Sequence, residues 1–210
     1  MTREPLLSIV IPAYNAARFL GDCLGSLRDQ IDDDIEVIVR DGNSSDSTSE
    51  LIHQFSDVVA HFESRPDFGQ GDAMDRGFQA ATGRFLTWLN ADDVMMPGAI
   101  AAIRRAVAAE PTVEWWVGDT VLLDVDGQVT GACRAGQCIY GRYLRFVMTY
   151  GPSSLFSRRL YEQTGGLDLS FHYMMDTDLW HRFAAAGHRY SRIPHYLWGF
   201  RQHDESKTTG

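Results

Sequence analysis

The sequence predicts an α/β fold, a mainly parallel sheet flanked by helices with a smaller mixed portion in its second half. Three observations predict it. Four short apolar runs rich in β-branched residues recur before residue 90, and stretches with apolar residues at helical spacing separate them. Strands that alternate with helices imply right-handed crossovers and parallel pairing. Beyond residue 113 the alternation breaks into a long apolar run and an Asp126-Gly127 hairpin signal, which implies antiparallel pairing.

The elements follow in order. Leu6 to Ile11 reads as a buried strand stopped by Pro12, and Ala16 to Arg28 as a helix with Phe19, Leu20, Cys23, Leu24 and Leu27 on one face. Ile35 to Val39 is a second strand ending at Asp41-Gly42. Ser44 to Asp46 supplies an N-cap for a helix near Ser47 to Phe55. Val58 to Phe62 is a third strand, Asp72 to Ala81 a third helix closed by Gly83, and Phe85 to Leu89 a fourth strand. Pro97 to Ala109 is helical, Val113 to Val125 and the residues from Gln128 form the hairpin, and Gln137 to Thr149, Arg158 to Gln163 and Asp176 to Ala186 are helices before a last strand, Tyr190 to Trp198. No repeat, low-complexity stretch or linker divides the 210 residues, so 1–210 is one domain, whose pattern changes after the helix Pro97 to Ala109.

The formal charge of −9 argues against a nucleic-acid binder, whose phosphate contacts need clustered Lys and Arg. Cys23, Cys133 and Cys138 complete no zinc pattern and read as reduced thiols of a cytoplasmic protein. No segment approaches the roughly 18 apolar residues of a membrane span, and the N-terminus has no signal-peptide stretch. Peripheral attachment at a membrane through a partner stays open.

In a parallel sheet the loops at the strand carboxyl ends gather into one crevice. Here they are Pro12 to Asn15, Asp41 to Asp46, Glu63 to Asp72 and Asn90 to Asp93. The acids of Asn90-Ala91-Asp92-Asp93 suit Mg²⁺ or Mn²⁺ bridging phosphate oxygens; alternatively one of them caps the helix near Pro97. Asp41 at its strand end can accept an N–H from a base, or belong to an ordinary turn. Tyr14 can border a flat ring or be a half-buried packing residue. Arg76 reads as a solvated surface charge. Asp176 and Asp178 either favour a helix dipole or include a general base, and a lone His203 near the end reads as exposed.

Taken in order, these residues resemble the family-2 glycosyltransferases of the GT-A type, a Rossmann-like fold, over nearly the whole chain. Ser8 to Asn15 resembles that family's opening strand and base-binding turn, Val37 to Thr48 its second signature, and Asp72 to Gly77 with Leu89 to Asp93 the run into its D-x-D-type metal motif, Asn90 replacing the first acid. The resemblance implies a nucleotide-sugar-binding half at about 1–93 and an acceptor-side half at about 94–210. It implies donor contacts from Pro12, Ala13, Tyr14, Asn15, Asp41, Asp72, Asn90, Ala91 and Asp92, and a Mn²⁺ or Mg²⁺ held by Asp92, Asp93 and His203. Either Asp92 or Asp93 is then the principal ligand.

Gly165 to Asp168 and Met175 to Trp180 resemble the acceptor-side signature, which assigns Asp176 as catalytic base ahead of Asp178; Gly151 to Ser154 borders the acceptor by family position. The implied reaction is inverting transfer from a nucleoside-diphosphate sugar, a UDP-sugar, to a hydroxyl of a glycan or lipid-linked acceptor in bacterial surface polysaccharide synthesis. The alternatives are a sugar nucleotidyltransferase, which would need a Gly-rich basic loop where Pro12 to Asn15 stands, and a non-catalytic nucleotide-sugar binder. The sequence stops at Gly210 without the further segment many relatives carry, so a shortened chain is one reading.

Overall fold

A computed structural model of the protein describes residues 4–135, 153–204 and 206. Cys138, the helix read at 137–149 and the pair Gly151-Pro152 lie outside these residues. Among the described residues the order is β1 (Leu7–Ala13), α1 (Ala17–Arg28), β2 (Ile35–Asp41), α2 (Thr48–Gln54), β3 (His61–Ser64), α3 (Gln70–Ala80), β4 (Phe85–Trp88) and β5 (Val94–Met95). Then come α4 (Ala99–Ala109), β6 (Trp115–Leu123), β7 (Val129–Cys133), β8 (Ser154–Ser157), α5 (Arg158–Gln163), α6 (Met175–Ala185) and β9 (Ser191–Arg201).

The strands join in one sheet of order β3-β2-β1-β4-β8-β6-β9-β5, with β7 paired to β6. β3, β2, β1 and β4 are parallel, and the antiparallel partners enter at β8, which lies between β4 and β6. In the sheet the antiparallel pairing thus begins at β8, one position before the hairpin strand β6, and β9 returns parallel to β6.

Alternation along β1 builds two cores. Leu7, Ile9 and Ile11 face α1, α2 and α4 with Leu20, Leu24 and Ile103, whereas Val10 faces α3, α5 and α6 with Met74, Phe78, Leu160 and Trp180. Gly77 lets α3 approach the sheet: a Cβ there would stand 2.3 Å from Val10 Cγ1. On this second face Trp88, Trp180 and Trp115 stack in sequence, with ring centroids 6.0 and 5.4 Å apart.

Several element boundaries differ from the sequence reading. β1 runs through Pro12 to Ala13, because β4 pairs only as far as Val10 and no β4 partner is asked of the proline. Val58 and Val59 do not start a strand; both backbone N–H groups donate to Phe55 O and close α2. β5 and β8 carry no strand signal of their own in the sequence, and β9 continues to Arg201. The register of β9 on β6 shifts across Pro194 and His195, between the partners Ile193 and Tyr196. Among the described residues no helix is long and apolar enough to cross a membrane.

Candidate active site

At the carboxyl ends of β1, β2 and β4 lies a cleft of about 860 Å³. Pro12, Ala13, Tyr14, Asn15, Asn90, Ala91, Asp92, Asp176 and His203 all line it. Tyr14 is 68% exposed there, so its ring is not a packing residue. Asp41, Asp72 and Asp93 are not on its wall.

The first two loops are laced together by side chains. Asn15 adopts a left-handed φ of 47°, donates its N–H to Ser44 Oγ at 2.8 Å, and accepts Ser45 N–H at 2.9 Å. Asp41 is fully buried beneath this lattice: it accepts the Ser44 hydroxyl, the Ser44 N–H at 3.1 Å and the Ser64 hydroxyl at 2.5 Å. Its carboxylate, expected to meet a base, here faces the protein, where polar hydrogens of the turn satisfy it. Asp46 accepts from Thr48 N–H and from Ala17 N–H, joining the starts of α1 and α2. Burial pushes its carboxyl up, but these bonds outweigh that and hold it below its usual range.

The acidic end divides its labour. Asp93 is fully buried, accepting Asn90 Nδ2 at 2.8 Å and the Arg201 N–H at 2.8 Å. Burial, then the Asp92 charge, pushes its carboxyl well above the usual range. Asp93, expected among the metal ligands, is off the cleft wall here, its oxygens fixing the Asn90 amide and the end of β9. Asn90 Oδ1 in turn accepts from Gln70 Nε2 at 2.8 Å. Asp92 instead faces the cleft, with Oδ2 3.0 Å from His203 Nε2. His203 packs its ring against Phe19, centroid to centroid 4.7 Å, so it is not the exposed terminal histidine that its position alone suggested. Neither acid caps α4, whose N-cap is Gly98 without a side-chain bond.

Arg201 is the residue that sequence reasoning passed over. Its side chain, 4% exposed, donates Nε to Asp92 O at 2.9 Å, Nη1 to Val125 O at 3.0 Å and Nη2 to Asp22 Oδ2 at 2.9 Å. It thereby ties the acidic turn to the segment that carries His203. Proximity to His203 in sequence was the available signal. Cys23, buried under the same turn with Sγ 3.5 Å from Asn90 O, has its thiol pushed up by burial and by the charges of Asp93, Asp92 and Asp22, so it stays protonated.

On the far side of the cleft Asp176 sits in the first turn of α6 and accepts the Thr177 N–H at 2.8 Å. Asp178 is bound to Arg182 Nε at 2.8 Å and is not on the cleft wall, which separates the two acids. Arg76 is not a solvated charge: its side chain is 11% exposed, amid Glu63, Asp67 and Asp72 at 3.5–3.6 Å. Asp72, expected to touch donor, pairs with this guanidinium and accepts the Phe68 N–H. Among the described residues no three His, Cys, Asp or Glu side chains gather as a metal set; Asp92 and His203 are two.

The sequence model of Glycosyl transferase family 2 matches residues 8–130. The chain is similar to the PGL/p-HBAD biosynthesis glycosyltransferase of Mycobacterium bovis, 28% identical over 181 residues, 83% of this chain and 68% of that protein. An uncharacterized glycosyltransferase of Nostoc sp. is 37% identical over 101 residues, 46% of this chain and 31% of that one. Among solved structures, S. aureus TarS 1-349 in complex with UDP-GlcNAc superposes with a TM-score of 0.80 at 15% identity, covering 98% of this chain and 61% of that one. Mannosyltransferase PcManGT from Pyrobaculum calidifontis in complex with GDP-Man and Mn²⁺ gives 0.69 at 19% identity, covering 94% and 57%. The chain therefore spans about three fifths of these solved chains, and the likeness shows that the fold is of the GT-A type.

Proposed function

We propose a reaction on a plain premise: the chain belongs to glycosyl transferase family 2 and is a glycosyltransferase. It transfers a sugar from a nucleoside-diphosphate sugar, a UDP-sugar, to a hydroxyl of a glycan or lipid-linked acceptor, with inversion at the anomeric carbon. The observation that carries this reading is the pairing of Asp92 Oδ2 and His203 Nε2, 3.0 Å apart, on the wall of the cleft that Asp176 also lines.

A carboxylate oxygen and an imidazole nitrogen are ligands that Mn²⁺ or Mg²⁺ accepts. Their 3.0 Å separation is that of neighbouring corners of an octahedron with bonds of about 2.1 Å. Such ions complete their shell with water and substrate phosphates, so two protein ligands suffice. Asp92 and His203 would hold the cation, which supplies positive charge to the departing diphosphate. The complex of PcManGT with GDP-Man and Mn²⁺ supports the metal reading, and that of TarS with UDP-GlcNAc supports the choice of a UDP-sugar.

The chain's own residues do the rest. Pro12 to Asn15 form a wall on which Tyr14 offers a ring face to the base, and Asn15 holds the turn. Asp176 takes the proton of the acceptor hydroxyl as its oxygen forms the new bond to the anomeric carbon. The bond to the diphosphate oxygen breaks, and the nucleoside diphosphate leaves on the opposite face of the sugar. The name of the mycobacterial relative places that protein in PGL/p-HBAD biosynthesis, and surface glycan synthesis is the corresponding role here.

The test combines calorimetric UDP titration with a transfer assay on a panel of UDP-sugars. Asp176→Asn is expected to abolish transfer and leave Mn²⁺-dependent UDP affinity unchanged; Asp92→Ala is expected to remove that metal dependence. Wild-type turnover in the first variant, or an undiminished metal effect in the second, overturns the assignment.

A further inference from the structure

Beside the cleft lies a second cavity of about 410 Å³, a volume in the range of small-molecule sites. One wall is Phe68 to Asp72, from the loop and first turn of α3, and the other is Leu169 to His172. It shares Gly69, Gln70 and His172 with the main cleft, so the two adjoin. The walls touch: a Cβ on Gly71 would stand 3.2 Å from Met175 Sδ and 3.5 Å from Leu169. Buried Leu167, its N–H on Tyr161 Oη at 3.0 Å, anchors the second wall.

Most of the large apolar side chains left in water gather here. Phe68, Leu169 and Phe171 line this cavity and Tyr173 and Met174 follow on the main cleft; they are five of the eight exposed among the described residues, while Tyr14 stands on the donor-side wall of the main cleft and Val129 and Tyr196 line neither. A cluster of that kind on a soluble surface marks a binding site. Phe171 to Met174 run straight into α6, where Asp176 is the second residue, so the apolar surface begins beside the candidate base. Residues 66–75 and 165–181 contain no Lys or Arg and include Asp72 and Asp168. An anionic lipid surface recruits through Lys and Arg, so this face suits a discrete uncharged apolar group instead.

We propose that this surface binds the aglycone of the acceptor, which makes the acceptor an amphipathic glycoside or lipid-linked sugar and not a free sugar. The proposal rests on Asp176 as the base on the acceptor side. It is tested by calorimetric titration with methyl, hexyl and octyl β-glucopyranosides below their micellar concentrations, with no donor present. Affinity is expected to rise along the series, up to about fourfold per methylene where burial is complete. Phe68→Ser removes a side chain that is 98% exposed and so spares the fold; combined with Phe171→Ser it is expected to flatten the series. Asp176→Asn is expected to keep the full chain-length dependence, which separates loss of this site from loss of the transfer reading. A series already flat in the wild type overturns the proposal. So does a double variant that retains the dependence, or one that loses only its binding to phosphatidylglycerol vesicles.

Discussion

Replacing Arg201 by Met probes the joint that holds the acidic turn against the end of β9. The variant keeps the apolar stem and the backbone N–H to Asp93, and removes the donors to Asp92 O and Val125 O and the ion pair with Asp22. A buried acceptor left unpaired costs about 1–3 kcal/mol, and because Asp92 and Val125 are only half-buried the lower part of that range applies to each carbonyl. Asp22 is two-thirds exposed, so its pair adds at most about 1 kcal/mol. Release of a desolvated guanidinium offsets part of the sum. The gross cost of about 2–3 kcal/mol thus falls to a net of about 1–2 kcal/mol, a fall in melting temperature of about 2–8 °C for a domain of this size.

Two assays check it. Thermal melting of the Arg201→Met variant is compared with that of Arg28→Met, which breaks an equally well-formed pair with Asp57 at 2.7 and 2.8 Å. That pair is exposed and screened by solvent, and its loss is expected to move the melting temperature less than the loss of Arg201 does. Manganese-dependent UDP affinity is measured in parallel and is expected to fall at least about tenfold for Arg201→Met only, a coupling within the usual allosteric range. If Arg201→Met melts within about 2 °C of wild type and keeps its affinity, the reasoning that Arg201 positions Asp92 and His203 is refuted.

Two further outcomes follow from the packing. Gly77→Ala puts a Cβ 2.3 Å from Val10 and is expected to destabilise by about 1–3 kcal/mol, although Ala favours a helix; Gly25→Ala on α1 meets nothing within 4 Å and is expected to stabilise by up to about 1 kcal/mol in a urea titration. Burial pushes the Glu36 carboxyl up, but hydrogen bonds from Ser8 and Thr82 and the neighbouring His61 outweigh it and hold the carboxyl low. A depressed carboxylate contributes stability above its unfolded pKa of about 4.3 that is lost as pH falls through the folded value. Glu36→Gln is therefore expected to unfold at lower urea than wild type at pH 7, and the gap is expected to narrow below about pH 4; a gap that stays constant with pH would contradict the linkage.

Much of the fold was legible because periodicity is a local property. Ile9 and Ile11 against Val10 announce a strand buried on both faces, and Phe19 to Leu27 announce the helix that covers one of them. What escaped lacked a local signal. Ser154 to Ser157 carries only the pair Leu155-Phe156 between serines and becomes a strand because β4 and β6 flank it. Val58 and Val59 have strand chemistry, yet the Phe55 carbonyl is the acceptor within reach.

The site divides along the same line. From the order of its residues the chain declared a parallel sheet with acids at its carboxyl edge, and the resemblance to family 2 added Asp92, Asp176 and His203 as residues to bring together there. It could not separate Asp92 from Asp93, which are adjacent and chemically identical. The tertiary structure separates them, because Arg201, 108 residues beyond Asp93, donates its backbone N–H to Asp93 and its Nε–H to the Asp92 carbonyl, which keeps one carboxylate inside and turns the other to the cleft. A buried carboxylate persists only where donors reach it, and those donors come from parts of the chain that meet only when it folds.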